Sequence, residues 1–307
     1  MALLICAPDR SNERLAADLK KRLPDVDVRI WPAVGEPTDI EFALLWKHPE
    51  GLVKTLPNLK AISSLGAGIE HLVNDPDIPK TLPIGRLAGP KLARDMATWL
   101  VGQVIAHWRD FNRFDNQQRA KQWQAWAPTH QPRVGILGMG AMGREAAHAF
   151  QALGFEVGGY SISGDGPESI QMHTGQTGLM TLASQSDYLI CLLPLTDETR
   201  GILDKNLMAN MPRDSVLINV GRGAHLVEAD LLKALDLGHP KHAILDVFST
   251  EPLPQDHPFW THPQIRVSPH SAALTDPSEA ADLVAQSYRD VMAGKPPLGR
   301  VDLSKGY

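Results

Sequence analysis

The sequence predicts an α/β chain of two domains built on parallel sheets, and three observations carry that prediction. Short apolar runs alternate with amphipathic helical stretches along the chain, the pattern of parallel strands with helices on both faces. At 307 residues with 43% hydrophobic side chains, the chain can bury a large core, and about two domains are expected at that length. The third observation is Arg133–Tyr160, RVGILGMGAMGREAAHAFQALGFEVGGY, which reads as strand, glycine turn, helix, strand.

The glycine stretch is the element around which the rest is arranged. Val134 to Leu137 form an apolar run that ends at Gly138, Gly140 and Gly143, with Met139, Ala141 and Met142 between them. In such a GxGxxG the first glycine permits a tight turn and the second lets a pyrophosphate approach the backbone. The third lets the helix lie close to the strand, while free N–H groups at the helix start face the anion. Glycines also gather in ordinary turns, so the flanking strand and helix are what make these six residues a dinucleotide site.

Taken in order, the first hundred residues give strands at Leu3–Ala7, Val26–Trp31, Phe42–Trp46, Leu59–Leu65 and Pro83–Ala88. A helix near Asn12–Leu23 and a short one after Pro49 separate some of them. A long helical stretch from about Lys91 to Gln124 follows, with Trp99, Trp108, Phe111, Phe114 and Trp123 along it. Those aromatics suit either the protein's own core or a second subunit, since large rings are favoured in both settings. Ser161–Thr177, rich in Gly and Ser, reads as a surface loop. Strands at Asp187–Leu193, Ser215–Val220, His242–Phe248 and Ile265–Ser268 then alternate with helices near Lys205–Asn210 and Glu228–Leu237. A last helix, Pro277–Ala293, leads to a Pro-rich tail that comes too late to add a strand to the second half, and so returns to the first domain.

Composition excludes several function classes. The formal net charge is -5, with signs mixed along the chain, so there is no basic stripe of the kind that holds nucleic acid. Cys6 and Cys191 lie in the apolar runs LLICA and YLICLLP, which predicts two buried reduced thiols rather than a disulfide or metal pair. MALLICAPDR is broken too early by Pro8 and Asp9 to be a secretory core, and no stretch approaches a membrane span. A cytoplasmic protein is expected. His107, His130, His225 and His242 show no metal-ligand spacing and are given no role, and no metal is expected.

Three polar residues stand out by where they fall: Arg222 in NVGRG, Glu251 in DVFSTEPLP and His270 in VSPH. Each follows a predicted strand of the glycine-motif domain, and a parallel sheet brings the carboxyl ends of its strands to one rim, where ligands bind. Hydride transfer to a carbonyl needs a proton donor, and histidine titrates near neutrality. A neighbouring carboxylate favours the protonated imidazole and orients it. An arginine fork grips a carboxylate with two hydrogen bonds and polarises a carbonyl. Taken singly, each also has a plainer reading as a structural ion pair, a loop acid or an incidental histidine.

The ordered motifs GMGAMG, LLPLT, INVGRG, LDVFSTEPLP and SPH resemble the D-isomer-specific 2-hydroxyacid dehydrogenases, and within them the glyoxylate/hydroxypyruvate reductase branch. The similarity runs from SLGAGIEH to the C-terminal GRVDLSKGY. It implies two Rossmann-like domains, residues 1–96 with 275–307 for substrate and 97–274 for the dinucleotide, with the active site in the interdomain cleft. It implies that Arg222 binds the substrate carboxylate and carbonyl, that His270 is the acid/base and that Glu251 pairs with His270. It assigns the backbone N–H groups of Leu65, Gly66, Ala67 and Gly68 to the substrate carboxylate, and Trp46 and Arg86 to the substrate pocket. For these last two, a buried strand-end aromatic and a subunit contact are the plainer readings. Leu193, Pro194, Val220, Asp246 and Ala272 join the cofactor contacts on the same ground, and a homodimer through the long helix is implied.

The choice of nicotinamide turns on YSISGDG, at the end of the second strand of the motif. An acidic residue there would hold the ribose hydroxyls of NAD and repel a 2′-phosphate. Ser161 stands in that place, and its hydroxyl and that of Ser163 can donate to a phosphate. The family branch carries basic residues just after this serine, where here stand Ile162, Gly164 and Asp165. NADP(H) is therefore favoured with NAD(H) also usable. The expected activity is reduction of a small 2-keto acid, glyoxylate or hydroxypyruvate. Two other readings are a reductase of a bulkier keto acid such as phenylpyruvate and a nucleotide-sensing protein like the corepressors built on this fold.

Overall fold

A computed structural model describes residues 1–302. Backbone contacts divide the chain into two compact units: Met1–Leu92 with the chain from Thr275 onward, and Ala93–Leu274. The end of the GRVDLSKGY motif, residues 303–307, lies outside the described residues.

The first unit contains β1 (Ala2–Cys6), α1 (Glu13–Arg22), β2 (Asp27–Ile30), β3 (Ile40–Leu45), β4 (Ala61–Ser64), α2 (Glu70–Val73) and β5 (Ile84–Arg86). The five strands are parallel, in the order β2-β1-β3-β4-β5. Leu3, Ile5, Phe42 and Leu44 enter one core, and Leu4, Cys6, Ala43, Leu45 and Ile62 the other. Side chains alternate between faces along a strand, so a sheet covered on both faces needs apolar residues at every position. That is why these strands read as unbroken apolar runs.

The second unit begins within α3 (Pro90–Trp108) and continues through α4 (Phe111–Arg119), β6 (Arg133–Leu137), α5 (Ala141–Ala152), β7 (Glu156–Tyr160), β8 (Gln171–His173) and α6 (Gly175–Gln185). It is completed by β9 (Tyr188–Cys191), α7 (Lys205–Asn210), β10 (Val216–Asn219), α8 (Glu228–Leu237), β11 (His242–Leu245) and β12 (Ile265–Val267). All seven strands are parallel, in the order β12-β11-β10-β9-β6-β7-β8. Leu137, Leu189, Leu217 and Leu245 fill one core while Ile136, Ile190, Ile218 and Ile244 fill the other. Finally α9 (Pro277–Met292) returns to the first unit, placing Ala281, Val284 and Tyr288 in the core that α1 also lines. The tail follows it there, with the Val301 N–H donating to the Ile84 carbonyl.

Two sequence expectations need correction. The stretch 91–124 is not one helix. Asp110 turns left-handed at φ +48° and its carboxylate accepts from the Arg113 N–H, so a new helix starts there. Trp99 and Trp108 lie against the second unit's core, whereas Phe111, Phe114 and Trp123 are exposed. Nor is 161–177 all loop: it contains the edge strand β8 and the start of α6. Both cysteines are buried and unpaired, and burial pushes the thiols of Cys6 and Cys191 up to about 11 and about 12. Among the described residues no helix is long and apolar enough to cross a membrane.

At the amino-terminal edge of the second sheet His107 bonds the Tyr188 hydroxyl at 2.6 Å and meets the His242 ring edge-on at 4.9 Å. Burial, then the neighbouring His242, Arg266 and Lys241, lower the His107 pKa to about 4 against 6.5 for a free imidazole, with only Asp110 opposing. The unfolded chain therefore takes up this proton first, so the stability linked to it is intact above about 6.5 and is lost as pH falls toward 4. Denaturant titrations at pH 7 and pH 5 should differ by about 2 kcal/mol through this group, and His107→Gln should remove that part of the slope. An unaltered slope in the variant would contradict the assignment.

Candidate active site

The carboxyl ends of β10, β11 and β12 are neighbours in register, with Asn219 beside Leu245 and Leu245 beside Val267. Arg222, Glu251 and His270 follow those three strands, so parallel pairing puts their loops on one rim. The glycine loop leaves the same rim, because Leu137 pairs with Cys191 and Cys191 with Asn219.

Two glycines of the loop, Gly138 and Gly143, have a steric reason, and the third leaves space open. Gly138 has φ +104°, and a Cβ there would come within 2.7 Å of the Leu192 carbonyl. A Cβ on Gly143 would collide with the Gly138 carbonyl oxygen, so only glycine lets α5 approach β6 this closely. Gly140 faces open space and caps α5 without a side-chain hydrogen bond, which leaves the first N–H groups of the helix, from Ala141 to Gly143, directed at that space. Exposed Gly140 and Ala141 above buried Met139 form a cradle that any side chain would fill and that a pyrophosphate fits.

His270 is the best defined of the three chemical groups. Its Nδ1 lies 2.8 Å from Glu251 Oε2, while Glu251 Oε1 accepts from the Phe248 N–H at 3.0 Å. The carboxylate thus fixes the ring with Nδ1–H pointing to Glu251 and Nε2 left for a substrate. His270 itself is left-handed at φ +51°, a strained state for a residue with a side chain. The strain is held by Asp246, which is buried and accepts from the Ser268 hydroxyl at 2.6 Å, the Ser271 N–H at 3.0 Å and the Ala272 N–H at 2.9 Å. The resemblance gives Asp246 to the cofactor. In the structure its carboxylate also braces the His270 turn from beneath.

The Arg222 turn is braced just as closely. Asn219, buried in the sheet, donates to the Arg222 carbonyl at 3.0 Å and accepts from the Gly221 N–H at 3.2 Å. The fully buried His225 accepts from the Arg222 N–H at 3.0 Å through Nδ1, and its Nε2 meets the Pro194 carbonyl at 3.2 Å. A Cβ on Gly223 would strike the Phe248 backbone, so this turn rests directly on the loop that carries Glu251. Arg222 is half-buried, with its guanidinium bonded to the Gly221 carbonyl at 2.7 Å. Sequence reasoning missed His225 and Asn219 as braces of this turn: Asn219 acts within the turn itself, while His225 also reaches the Pro194 carbonyl of another loop.

Of the other expected cofactor positions, Leu193, Val220 and Ala272 are buried at this rim, and the half-buried Pro194 carbonyl also accepts from the Thr199 hydroxyl at 2.7 Å. Met142 lies against the core beneath the loop. Beyond β7, the Ser161 hydroxyl donates to the Asp165 carbonyl at 2.8 Å and exposed Ser163 stands in the same turn.

In the first unit, Leu65–Gly68 follow β4 and leave the carboxyl edge of that sheet. The Leu65 N–H is taken by the Leu45 carbonyl at 3.1 Å, so it is not free to bind a ligand. Those of Gly66, Ala67 and Gly68 have no acceptor among the described residues, and the Ser64 hydroxyl ties the loop by donating to the Gly68 carbonyl at 2.6 Å. Trp46 directly follows β3 and lies against this loop, its Cζ3 atom 2.9 Å from where a Gly66 Cβ would stand. Arg86 ends β5 with the tail residue Gly299 against its backbone.

A glycine-loop unit with an arginine and a carboxylate-held histidine on one rim is the arrangement of a dinucleotide-dependent oxidoreductase. The family model for the D-isomer specific 2-hydroxyacid dehydrogenase, NAD binding domain, matches residues 101–272. Glyoxylate/hydroxypyruvate reductase A of Klebsiella pneumoniae is 37% identical over 317 residues, covering 100% of both chains. The Serratia proteamaculans protein of that name is 37% identical over 314 residues, also covering 100% of both. Among solved structures, a D-isomer specific 2-hydroxyacid dehydrogenase from Xanthobacter autotrophicus Py2, in complex with NADPH and MES, superposes with TM-score 0.94 at 36% identity, covering 100% of this chain and 99% of that one. An NADPH-dependent glyoxylate/hydroxypyruvate reductase from Sinorhizobium meliloti, in complex with NADP and sulfate, gives TM-score 0.91 at 33% identity, covering 100% of each. The chain belongs to the D-isomer specific 2-hydroxyacid dehydrogenase family.

Proposed function

We propose that the protein reduces a small 2-keto acid, glyoxylate or hydroxypyruvate, to the 2-hydroxy acid with NADPH as reductant. The observation that carries this reading is the His270–Glu251 pair, 2.8 Å apart on the rim that also bears Arg222 and the glycine loop. A reduced nicotinamide dinucleotide cradled over Gly138–Gly143 supplies the hydride when bound. His270 gives the Nε2 proton to the keto oxygen as the carbonyl carbon is reduced, and Glu251 balances the imidazolium before transfer and keeps the ring oriented after it. Arg222 grips the carboxylate and polarises the carbonyl, and the free N–H groups of Gly66, Ala67 and Gly68 take a carboxylate oxygen. Trp46 and Arg86 line the substrate pocket. Residues 1–96 with 275–307 serve substrate and residues 97–274 serve the dinucleotide.

Ser161 supports NADPH, since no carboxylate stands at the position that would repel a 2′-phosphate, and both structural relatives described above hold the phosphorylated cofactor. The exposed Phe111, Phe114 and Trp123 support a homodimer through the helical stretch 91–124, for which solution mass is the check. Two unpaired buried thiols suit a cytoplasmic protein.

A panel of keto acids with each cofactor, followed by nicotinamide absorbance, tests the reading. Glyoxylate and hydroxypyruvate should turn over with a lower KM for NADPH than for NADH. A higher KM for NADPH would contradict the cofactor choice, and cofactor binding with no turnover of any keto acid would contradict the reductase itself.

A further inference from the structure

We propose that Arg10 is a specificity-determining residue, one that selects keto acids bearing a polar or anionic group on the far side of the carbonyl. This rests on the reductase reading above. The turns after β1, β3 and β4 leave one edge of the first sheet, where Cys6 pairs with Leu45 and Leu45 with Ser64. The guanidinium carbon of Arg10 lies 5.0 Å from the centre of the Trp46 ring. The edge of the same indole abuts Gly66, in the loop whose free N–H groups take the substrate carboxylate. Cation, indole and carboxylate loop are therefore contiguous, with the indole as the spacer.

That spacer is held in place. The His71 ring packs on Trp46 at 4.9 Å, and its Nε2 meets the Leu45 carbonyl at 3.2 Å. The next residues form a firm base: His48 and Asp75 are bonded at 2.7 Å with side chains only 2% and 6% exposed. Lys47, between Trp46 and His48, is left-handed at φ +48°, a strain that ordered surroundings must sustain. The Trp46 Nε1–H is buried and has no acceptor among the described residues.

The charge count leaves a surplus cation at this edge. Asp9 serves both Arg10 at 3.3 Å and Lys47 at 3.7 Å, and the Arg10 side chain remains 40% exposed. A guanidinium laid over an indole keeps its in-plane N–H groups available to oxygen acceptors. Glyoxylate carries only hydrogen beyond its carbonyl, hydroxypyruvate a hydroxymethyl group, and a keto dicarboxylate such as mesoxalate a second carboxylate. The contribution of Arg10 should rise in that order from nothing.

The test compares kcat/KM for these three acids with NADPH in the wild type, Arg10→Gln and Arg10→Lys, using the Ki of mesoxalate if it is not turned over. A charge-assisted hydrogen bond at a partly exposed site predicts that Arg10→Gln weakens mesoxalate about 10-fold relative to glyoxylate, through KM or Ki rather than kcat. Hydroxypyruvate should fall less, glyoxylate should hold, and Arg10→Lys should recover part of the loss. Unchanged ratios, or a parallel fall for all three acids as expected if Arg10 only props Trp46, would overturn the proposal and leave the reductase intact. Failure of the wild type to turn over any keto acid would overturn both.

Discussion

The His270→Ala variant is expected to lose about 100- to 10,000-fold in turnover of glyoxylate while binding NADPH as the wild type does. A positioned proton donor contributes on that scale. His270 has one ring nitrogen held by the Glu251 carboxylate and the other without a partner among the described residues. Its side chain is 44% exposed, so removing it opens no core cavity. The fold should persist, because the turn is fixed from beneath by Asp246 and not by the imidazole. Fluorescence titration of reduced nicotinamide separates the two effects. Wild-type turnover in the variant would remove His270 from the chemistry.

The second large effect belongs to Arg222. Arg222→Lys keeps the charge but replaces a planar fork by a point donor, which cannot bond two carboxylate oxygens and the carbonyl in fixed geometry. One or two lost charge-assisted hydrogen bonds predict a fall in kcat/KM for glyoxylate of about 10- to 100-fold, seen first as a raised KM. The turn itself should survive, since Asn219 and His225 hold its backbone through the Arg222 carbonyl and N–H, not through the guanidinium. An unchanged KM would dismiss Arg222 as the carboxylate ligand.

What the sequence makes legible here follows from local periodicity and fixed spacing. The glycine loop is readable because Gly138 and Gly143 are demanded by their backbone neighbours and Gly140 keeps the helix start open, and the rim is readable because parallel strands all end at one edge. The misses are non-local or weakly patterned. His225 offers no sequence signal, since its role lies in the Pro194 carbonyl 31 residues away and in the backbone of Arg222. The resemblance gives Asp246 as a cofactor contact, and only the fold shows that its carboxylate also lies beneath the His270 turn. Strand β8 is three residues at the sheet edge, QMH, with no residue fully buried, and so carries almost no apolar signal. Helix α6, GQTGLMTLASQ, is interspersed with glycine, threonine and serine, which blur its helical signal, and is held by Leu179, Leu182 and Ala183 in the core. The break before α4 was readable in principle: Asp110 three residues before Arg113 is an N-cap spacing inside an apparently continuous helix.

The central claim is that hydride passes from a nicotinamide bound over the glycine loop to the carbonyl carbon of a keto acid, with the proton supplied from the rim. Incubation with reduced nicotinamide deuterated at carbon 4 on the transferred face, with glyoxylate in ordinary water, tests it directly by mass spectrometry of the product. Glycolate carrying one deuterium on carbon 2 is the predicted result, and its yield should collapse in His270→Ala. Unlabelled glycolate, or tight nicotinamide binding with no glycolate at all, would contradict it.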